Sequence, residues 1–167
     1  MPILPWVVTD EQKKFKTPVF TLCSHNAHSA SNPDKSGQFV YLDAPNWVNV
    51  IAITPQNKVV IIEQFRQGTR SVTLEIPGGM CDEGEDFIEA GLRELKEETG
   101  GVGDSVELIG IVDPNPAIQN NRCGTILVRN VHFSEQELDG NEEINIELYS
   151  LDEIGQLMRT GKITHAL

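Results

Sequence analysis
The sequence predicts an α+β fold: a mixed β-sheet packed against helices and preceded by an antiparallel β arm. Three observations point there. Short Val- and Ile-rich segments follow one another in hairpin-like pairs, two windows carry helical periodicity, and no linker-like change in composition divides the 167 residues. Hairpins in this proportion disfavour a doubly wound parallel sheet, whose strands alternate with helices along the chain. A chain of this length can bury one substantial core.

The elements follow in order. Thr17 to His28 and Gly37 to Asp43 read as extended chain joined by a turn at Asn32, Pro33, Asp34 and Gly37. Residues 1–45 thereby form an N-terminal β arm ahead of a core spanning 46–167. Trp47 to Thr54 and Lys58 to Phe65 read as a second hairpin, with Pro55, Gln56 and Asn57 as its tight turn, and Ser71 to Ile76 as a shorter strand. Then the period changes. Phe87, Ile88, Gly91, Leu92 and Leu95 recur at helical spacing, and Gly100 stands where a left-handed cap ends a helix over residues 86–99. Strand-like segments follow near Val106 to Val112, Thr125 to Val131 and Ile144 to Leu148. Ser150 with Glu153 makes a capping-box pattern before a second helix, Leu151 to Thr160, which Gly161 ends.

Composition excludes several function classes. With 25 acidic against 13 basic residues and a net charge of −12, the chain lacks the Lys and Arg surplus that neutralises nucleic-acid phosphates. No apolar run approaches the roughly 20 residues of a membrane helix. Cys23, Cys81 and Cys123 are odd in number and scattered, and the N-terminus MPILPWVV has no basic leader, so we expect a cytoplasmic protein with free thiols. Cys23, His25 and His28 superficially resemble a zinc set, but three ligands on a hairpin strand are better read as structural or surface groups.

The acidity is concentrated. Eight acidic residues lie between Gly79 and Gly100 against Arg93 and Lys96, so this segment carries half of the net charge. Glu94, Glu97 and Glu98, in the stretch RELKEETG, fall within an arc of about 100° on a helix, beside the apolar stripe of Phe87, Gly91 and Leu95. Two carboxylates about 4 Å apart repel by roughly 4 kcal/mol at an effective dielectric near 20, so a converging cluster binds protons or a cation. All-oxygen donors suit Mg²⁺ or Mn²⁺. The alternative is a solvated helix face in which Arg93 and Glu97 form an ordinary pair four residues apart. The preceding Ile76-Pro77-Gly78-Gly79 favours a site, because two glycines let backbone approach a phosphate or present carbonyls to a metal.

The spacing Gly79, five residues, Glu85, seven residues, Arg93-Glu94-Leu95-Lys96-Glu97-Glu98-Thr99-Gly100 resembles the Nudix box of the Nudix hydrolases. Gly101 departs from it, standing where the box has an aliphatic residue. Glu63-Gln64-Phe65-Arg66, Glu75-Ile76-Pro77-Gly78-Gly79, Trp47-Val48-Asn49-Val50 and Asn115-Pro116-Ala117 are similar to the ADP-ribose and nucleoside-diphosphate-sugar pyrophosphatase branch. The resemblance implies a Nudix-type mixed sheet between helices and a homodimer formed through the N-terminal arm. The implied reaction is divalent-metal-dependent hydrolysis of the pyrophosphate bond of a nucleoside diphosphate sugar, to a nucleoside monophosphate and a sugar phosphate. The motifs leave ADP-ribose, ADP-glucose and GDP-mannose equally open. They also leave two alternatives: another nucleotide substrate, such as a dinucleoside polyphosphate or NADH, or a non-catalytic nucleotide-sugar sensor.

The resemblance also implies roles. Gly78 through its carbonyl, with Glu94, Glu97 and Glu98, would hold two or more Mg²⁺ ions, Mn²⁺ being a substitute, and Glu94 and Glu97 would thereby share in catalysis. Glu85 and Arg93 would be a supporting pair beside Gly79. A general base would come from Glu142, with Glu143 in reserve; both also read as solvated loop charges. Arg66 would contact a phosphate, Trp47 would stack on the base or belong to the core, Glu75 would accept from a ribose hydroxyl, and Asn121 or Arg122 would line the same pocket.

Overall fold
A computed structural model describes residues 2–138 and 140–166. They divide into two compact units, one made of the chain up to Pro45 together with Asp113–Arg122, the other of Asn46–Val112 and the chain from Cys123 onward. The unit that contains the N-terminal arm therefore also takes in a later segment, which sequence spacing did not indicate.

In the first unit, β1 (Trp6–Lys16), β2 (Thr21–Ser29) and β3 (Ser36–Asp43) form an antiparallel sheet in that order. β1 is absent from the sequence reading because its middle, Asp10-Glu11-Gln12-Lys13-Lys14, is charged and polar throughout. It is an edge strand, where charges disfavour pairing with a further chain. Its register shifts between Thr9 and Gln12, where Asp10 adopts φ 53°. The β2–β3 turn is held by Asn32, whose backbone carbonyl accepts from Lys35 N at 3.0 Å and whose side chain accepts from Asp34 N at 3.2 Å. The segment 113–122 attaches to β3: Leu42 N donates to Ile118 O at 2.8 Å, and Asn120 bonds Asp43 and Ala44.

The second unit is built on a mixed sheet. Its strands are β4 (Trp47–Ile53), β5 (Val59–Arg66), β6 (Ser71–Glu75), β7 (Gly78–Met80), then, after helix α1 (Phe87–Thr99), the short β8 (Gly101–Val102), β9 (Ser105–Val112), β10 (Cys123–Arg129), β11 (His132–Phe133) and β12 (Ile144–Tyr149). Helix α2 (Leu151–Arg159) follows. The sheet order is β12-β5-β4-β10-β9, with β4 and β10 parallel, while β6 pairs β5 and β7 pairs β4. β8 and β11 form a separate small ribbon.

Each predicted element of this unit exists, with ends shifted by a residue or two, but the β4–β5 hairpin holds only at its neck, through the pair Ile53↔Val59. Beyond it the strands splay, β4 taking β7 and β10 as neighbours and β5 taking β6 and β12. The Pro-Gly-Gly segment, read from sequence as a loop, is the short strand that fills this gap. Gly78 and Gly79 pair with Asn49 and Val48, and a Cβ on Gly78 would overlap the Val48 carbonyl oxygen.

α1 begins at Asp86, whose side chain accepts from Ile88 N and Glu89 N while Glu89 closes the capping box. It ends at Gly100 in the left-handed region, φ 66°. Its apolar face packs on the sheet, and Ala90 and Leu95 join Val48, Val50, Ala52, Val60, Ile126, Val128 and Val131 in the core. Two glycines set how closely it approaches: a Cβ on Gly91 would lie 2.5 Å from Ile126 Cδ1, and one on Gly124 the same distance from the Phe87 ring. Among the described residues no helix is long and apolar enough to cross a membrane.

Candidate active site
The close seat of α1 brings its last turns against β7. Glu94 lies so near Gly79 that any side chain at 79 would strike its carboxylate. Glu98, with only 3% of its surface exposed, accepts a hydrogen bond from Gly78 N at 2.9 Å. The two glycines thus serve the carboxylates: one by having no side chain, the other by offering its N–H.

Arg93 holds the rest together. Its Nε and Nη2 donate to the two oxygens of Glu85, each at 2.9 Å, and Nη1 donates to Glu94 at 2.9 Å and Glu97 at 3.0 Å. Nη2 also reaches the carbonyl of Met80 at 2.9 Å, tying helix to glycine strand. The bidentate fork, with the Asp82 N–H, holds the Glu85 carboxyl down at about 2. Lys96 turns away to Glu137 at 2.7 Å.

The electrostatics of the cluster favour added positive charge. Burial pushes the Glu98 carboxyl up to about 8, against the opposing Gly78 N–H, and the charges of Glu94 and Glu142 push it the same way. Burial also raises Glu94; Arg93 opposes this, and Glu97 and Glu142 add to it. Glu142 therefore stands close enough for its charge to be felt at both α1 carboxylates. It is half-buried on the turn before β12, and Glu143 beside it is exposed. Both line a cavity of about 400 Å³ with Gln64, Phe65 and Gln67.

Among the described residues, no three Asp, Glu, His or Cys side chains already stand in metal-coordinating geometry. Arg93, bridging Glu94 and Glu97, supplies the counter-charge here. The donor set nevertheless fits a hard divalent cation: oxygen ligands, Glu98 buried and Glu94 half-buried, mutually repelling and set against one glycine strand.

A second cavity, of about 630 Å³, opens from Gly78 and Gly79 along Trp47, Asn49, Met80, Arg66, Thr73 and Glu75 to Thr164 and His165. Trp47, half-buried at the start of β4, lines it. Arg66 does not stand alone in this cavity: Nε and Nη2 grip Glu75 at 2.9 and 2.5 Å. Thr73 Oγ1 donates to Glu75 at 2.7 Å. Burial alone would raise the Glu75 carboxyl, but the Arg66 and Thr73 hydrogen bonds bring it below its ordinary value. The oxygens that sequence reading assigned to a ribose hydroxyl are thus taken up by the chain's own donors.

Asn121 and Arg122 lie in the first unit. Asn121 is buried and donates to Pro45 O at 3.0 Å, and Arg122 is exposed with Asp113 at 3.9 Å. The model for the NUDIX domain matches residues 45–166. The chain belongs to the NUDIX family. Among its NUDIX relatives, the methanol dehydrogenase activator of Bacillus methanolicus is 32% identical over 71% of this chain and 65% of its own length. An ADP-ribose pyrophosphatase of Bacillus subtilis (strain 168) is 27% identical over 73% of this chain and 67% of its own length. The aligned stretch thus spans about two thirds of these curated relatives. The fold matches the crystal structure of an ADP compounds hydrolase with a TM-score of 0.86, covering 99% of this chain and 89% of that one at 18% identity.

Sequence reasoning missed Thr73 and His165. Neither belongs to a motif; Thr73 is placed by strand pairing opposite Gln64, and His165 by the path of the chain after α2. Cys23 and Cys123 are buried free thiols, and burial pushes the half-buried Cys81 thiol up to about 11, away from the range of an activated thiol.

Proposed function
We propose that this NUDIX protein hydrolyses the pyrophosphate bond of a nucleoside diphosphate sugar, of the ADP-ribose type, to a nucleoside monophosphate and a sugar phosphate. The observation that carries the proposal is the junction of β7 and α1. Repelling carboxylates backed on two glycines adjoin a 630 Å³ cavity with an arginine in its wall. The names of the relatives support the same substrate class.

Nudix hydrolases use divalent metal ions. Here Glu94, Glu97 and Glu98, with the Gly78 carbonyl, would hold two or more Mg²⁺ ions, with Mn²⁺ as a substitute. When bound, such ions neutralise the diphosphate and acidify water near phosphorus. The chain's own residues do the rest. Arg93 and Glu85 fix the orientation of Glu94 and Glu97. Glu142 accepts the proton of the attacking water, its charge already felt at Glu94 and Glu98. Arg66, over a third of whose side chain is exposed, turns its remaining N–H groups to a substrate phosphate while Glu75 holds its plane. Trp47 offers a ring face to the base. We place the enzyme in the cytoplasm, consistent with its free cysteines.

The test is hydrolysis of ADP-ribose, ADP-glucose, GDP-mannose, NADH and a dinucleoside polyphosphate in ¹⁸O-water, read by mass spectrometry. We expect AMP or GMP with a sugar phosphate, label on one product, and loss of turnover on chelation restored by Mg²⁺. Release of products only from NADH or the polyphosphate would move the substrate class. Mg²⁺-dependent binding without products would make the protein a sensor.

A further inference from the structure
The polar wall of the larger cavity contains a residue outside every motif. Glu75 is almost wholly buried and is covered by two side chains that remain partly open to the cavity, Arg66 at 38% and His165 at 30%. His165 Nδ1 stands 3.5 Å from Glu75 Oε2, the oxygen that Arg66 Nη2 also grips. Thr73 and Arg66 Nε take the other oxygen. A ligand entering the cavity therefore meets the guanidinium and the imidazole, with the carboxylate behind them as their common anchor.

We propose that His165 is a substrate-positioning residue, closing the wall of the cavity beside Arg66 and holding the polyhydroxylated moiety of the nucleoside diphosphate sugar. The proposal rests on the substrate class given above. Its chemistry differs from that of Arg66. A guanidinium matches phosphate oxygens, whereas an imidazole anchored through one nitrogen presents a ring edge and face suited to sugar hydroxyls and C–H groups. The anchor matters, because an imidazole oriented by a buried carboxylate loses less rotational freedom when substrate binds. The bond-breaking groups belong to α1 and the turn before β12, so His165 acts on affinity and leaves the chemical step unchanged.

The experiment compares wild type with His165→Ala and His165→Asn, using ADP-ribose as probe. Steady-state kinetics with Mg²⁺ are paired with metal-free calorimetric binding of ADP-ribose and with melting temperature. We expect KM and the metal-free dissociation constant of H165A to rise about five- to tenfold, the loss of one hydrogen bond, with kcat within twofold. H165N, which keeps an amide donor near Glu75, returns KM to within about threefold of wild type. Unchanged KM and affinity in H165A would overturn the inference, as would a fall in kcat at constant KM. A KM loss that H165N shares, accompanied by a lowered melting temperature in both variants, would make His165 a scaffold residue only and overturn it equally. Wild type that neither binds nor cleaves ADP-ribose takes down the substrate reading and this inference together, whereas active wild type with an indifferent H165A sinks this inference alone.

Discussion
At Glu98 two influences oppose each other: burial penalises the charged carboxylate, and the Gly78 N–H stabilises it. Burial wins because Glu94 and Glu142 add like charge, which is the situation a cation relieves. Glu142 and Glu143 stand side by side in sequence, and it is the charge of Glu142 that is prominent at Glu94, Glu98 and Arg66. We therefore expect Glu142→Gln to lower kcat by about 10²- to 10⁴-fold, the usual contribution of a general base, with the Mg²⁺-induced shift in melting temperature retained. Glu143→Gln should stay within a few-fold of wild type; the reverse ranking would reassign the base. Glu75 gives a pH prediction. Its folded pKa lies below the ordinary 4.5, so its ionised pairing with Arg66 and Thr73 stabilises the protein above that value and is lost as pH falls through the folded one. Glu75→Gln should melt lower than wild type at neutral pH, and the gap should narrow as pH falls below the ordinary 4.5 and through the folded value. A gap that is constant with pH would show that shape, not charge, is what Glu75 contributes.

Elements were legible where a local rule decides them. Ser150 caps α2 and Gly100 ends α1, as their positions in sequence predict, whereas Asp86, read as the first helical residue, is the N-cap of α1. β1 was not legible because its polar middle obeys no alternation, and β7 was not because two consecutive glycines read as loop. The pairing of β4 was hidden for another reason. Proximity in sequence points to β5, but along its whole length β4 pairs with the parallel β10, far away in sequence, and meets β5 only at Ile53↔Val59. These differences set mutational costs. Gly124→Ala forces a methyl into the Phe87 ring and should destabilise by about 1–3 kcal/mol, with reduced activity because α1 is pushed off the sheet. Ser150→Ala removes only a cap and should cost about 1 kcal/mol with activity unchanged, α2 having no buried residue. Denaturant melts of both variants, read beside turnover, separate the two effects, and equal losses in both would refute the close-packing account.

For the molecule as a whole, the first unit leaves Val7, Val8, Phe15, Phe39 and Val40 substantially exposed, apolar side chains on both faces of its sheet that a second chain can cover. This agrees with the homodimer through the N-terminal arm that the resemblance implies. Light scattering should give twice the chain mass, and Val8→Glu with Val40→Glu should halve it; a monomeric wild type would remove the arm's assigned role. By itself the sequence determined the acidic helix, its glycine cap, the paired glycines and the carboxylates on one face, because spacing along a helix fixes which side chains share a direction. Only the tertiary structure decided that Gly78 and Gly79 form a strand against β4, that Arg66 is gripped by Glu75, and that His165 joins them. Those contacts join residues far apart in sequence, and only the packing of a shared core brings them together.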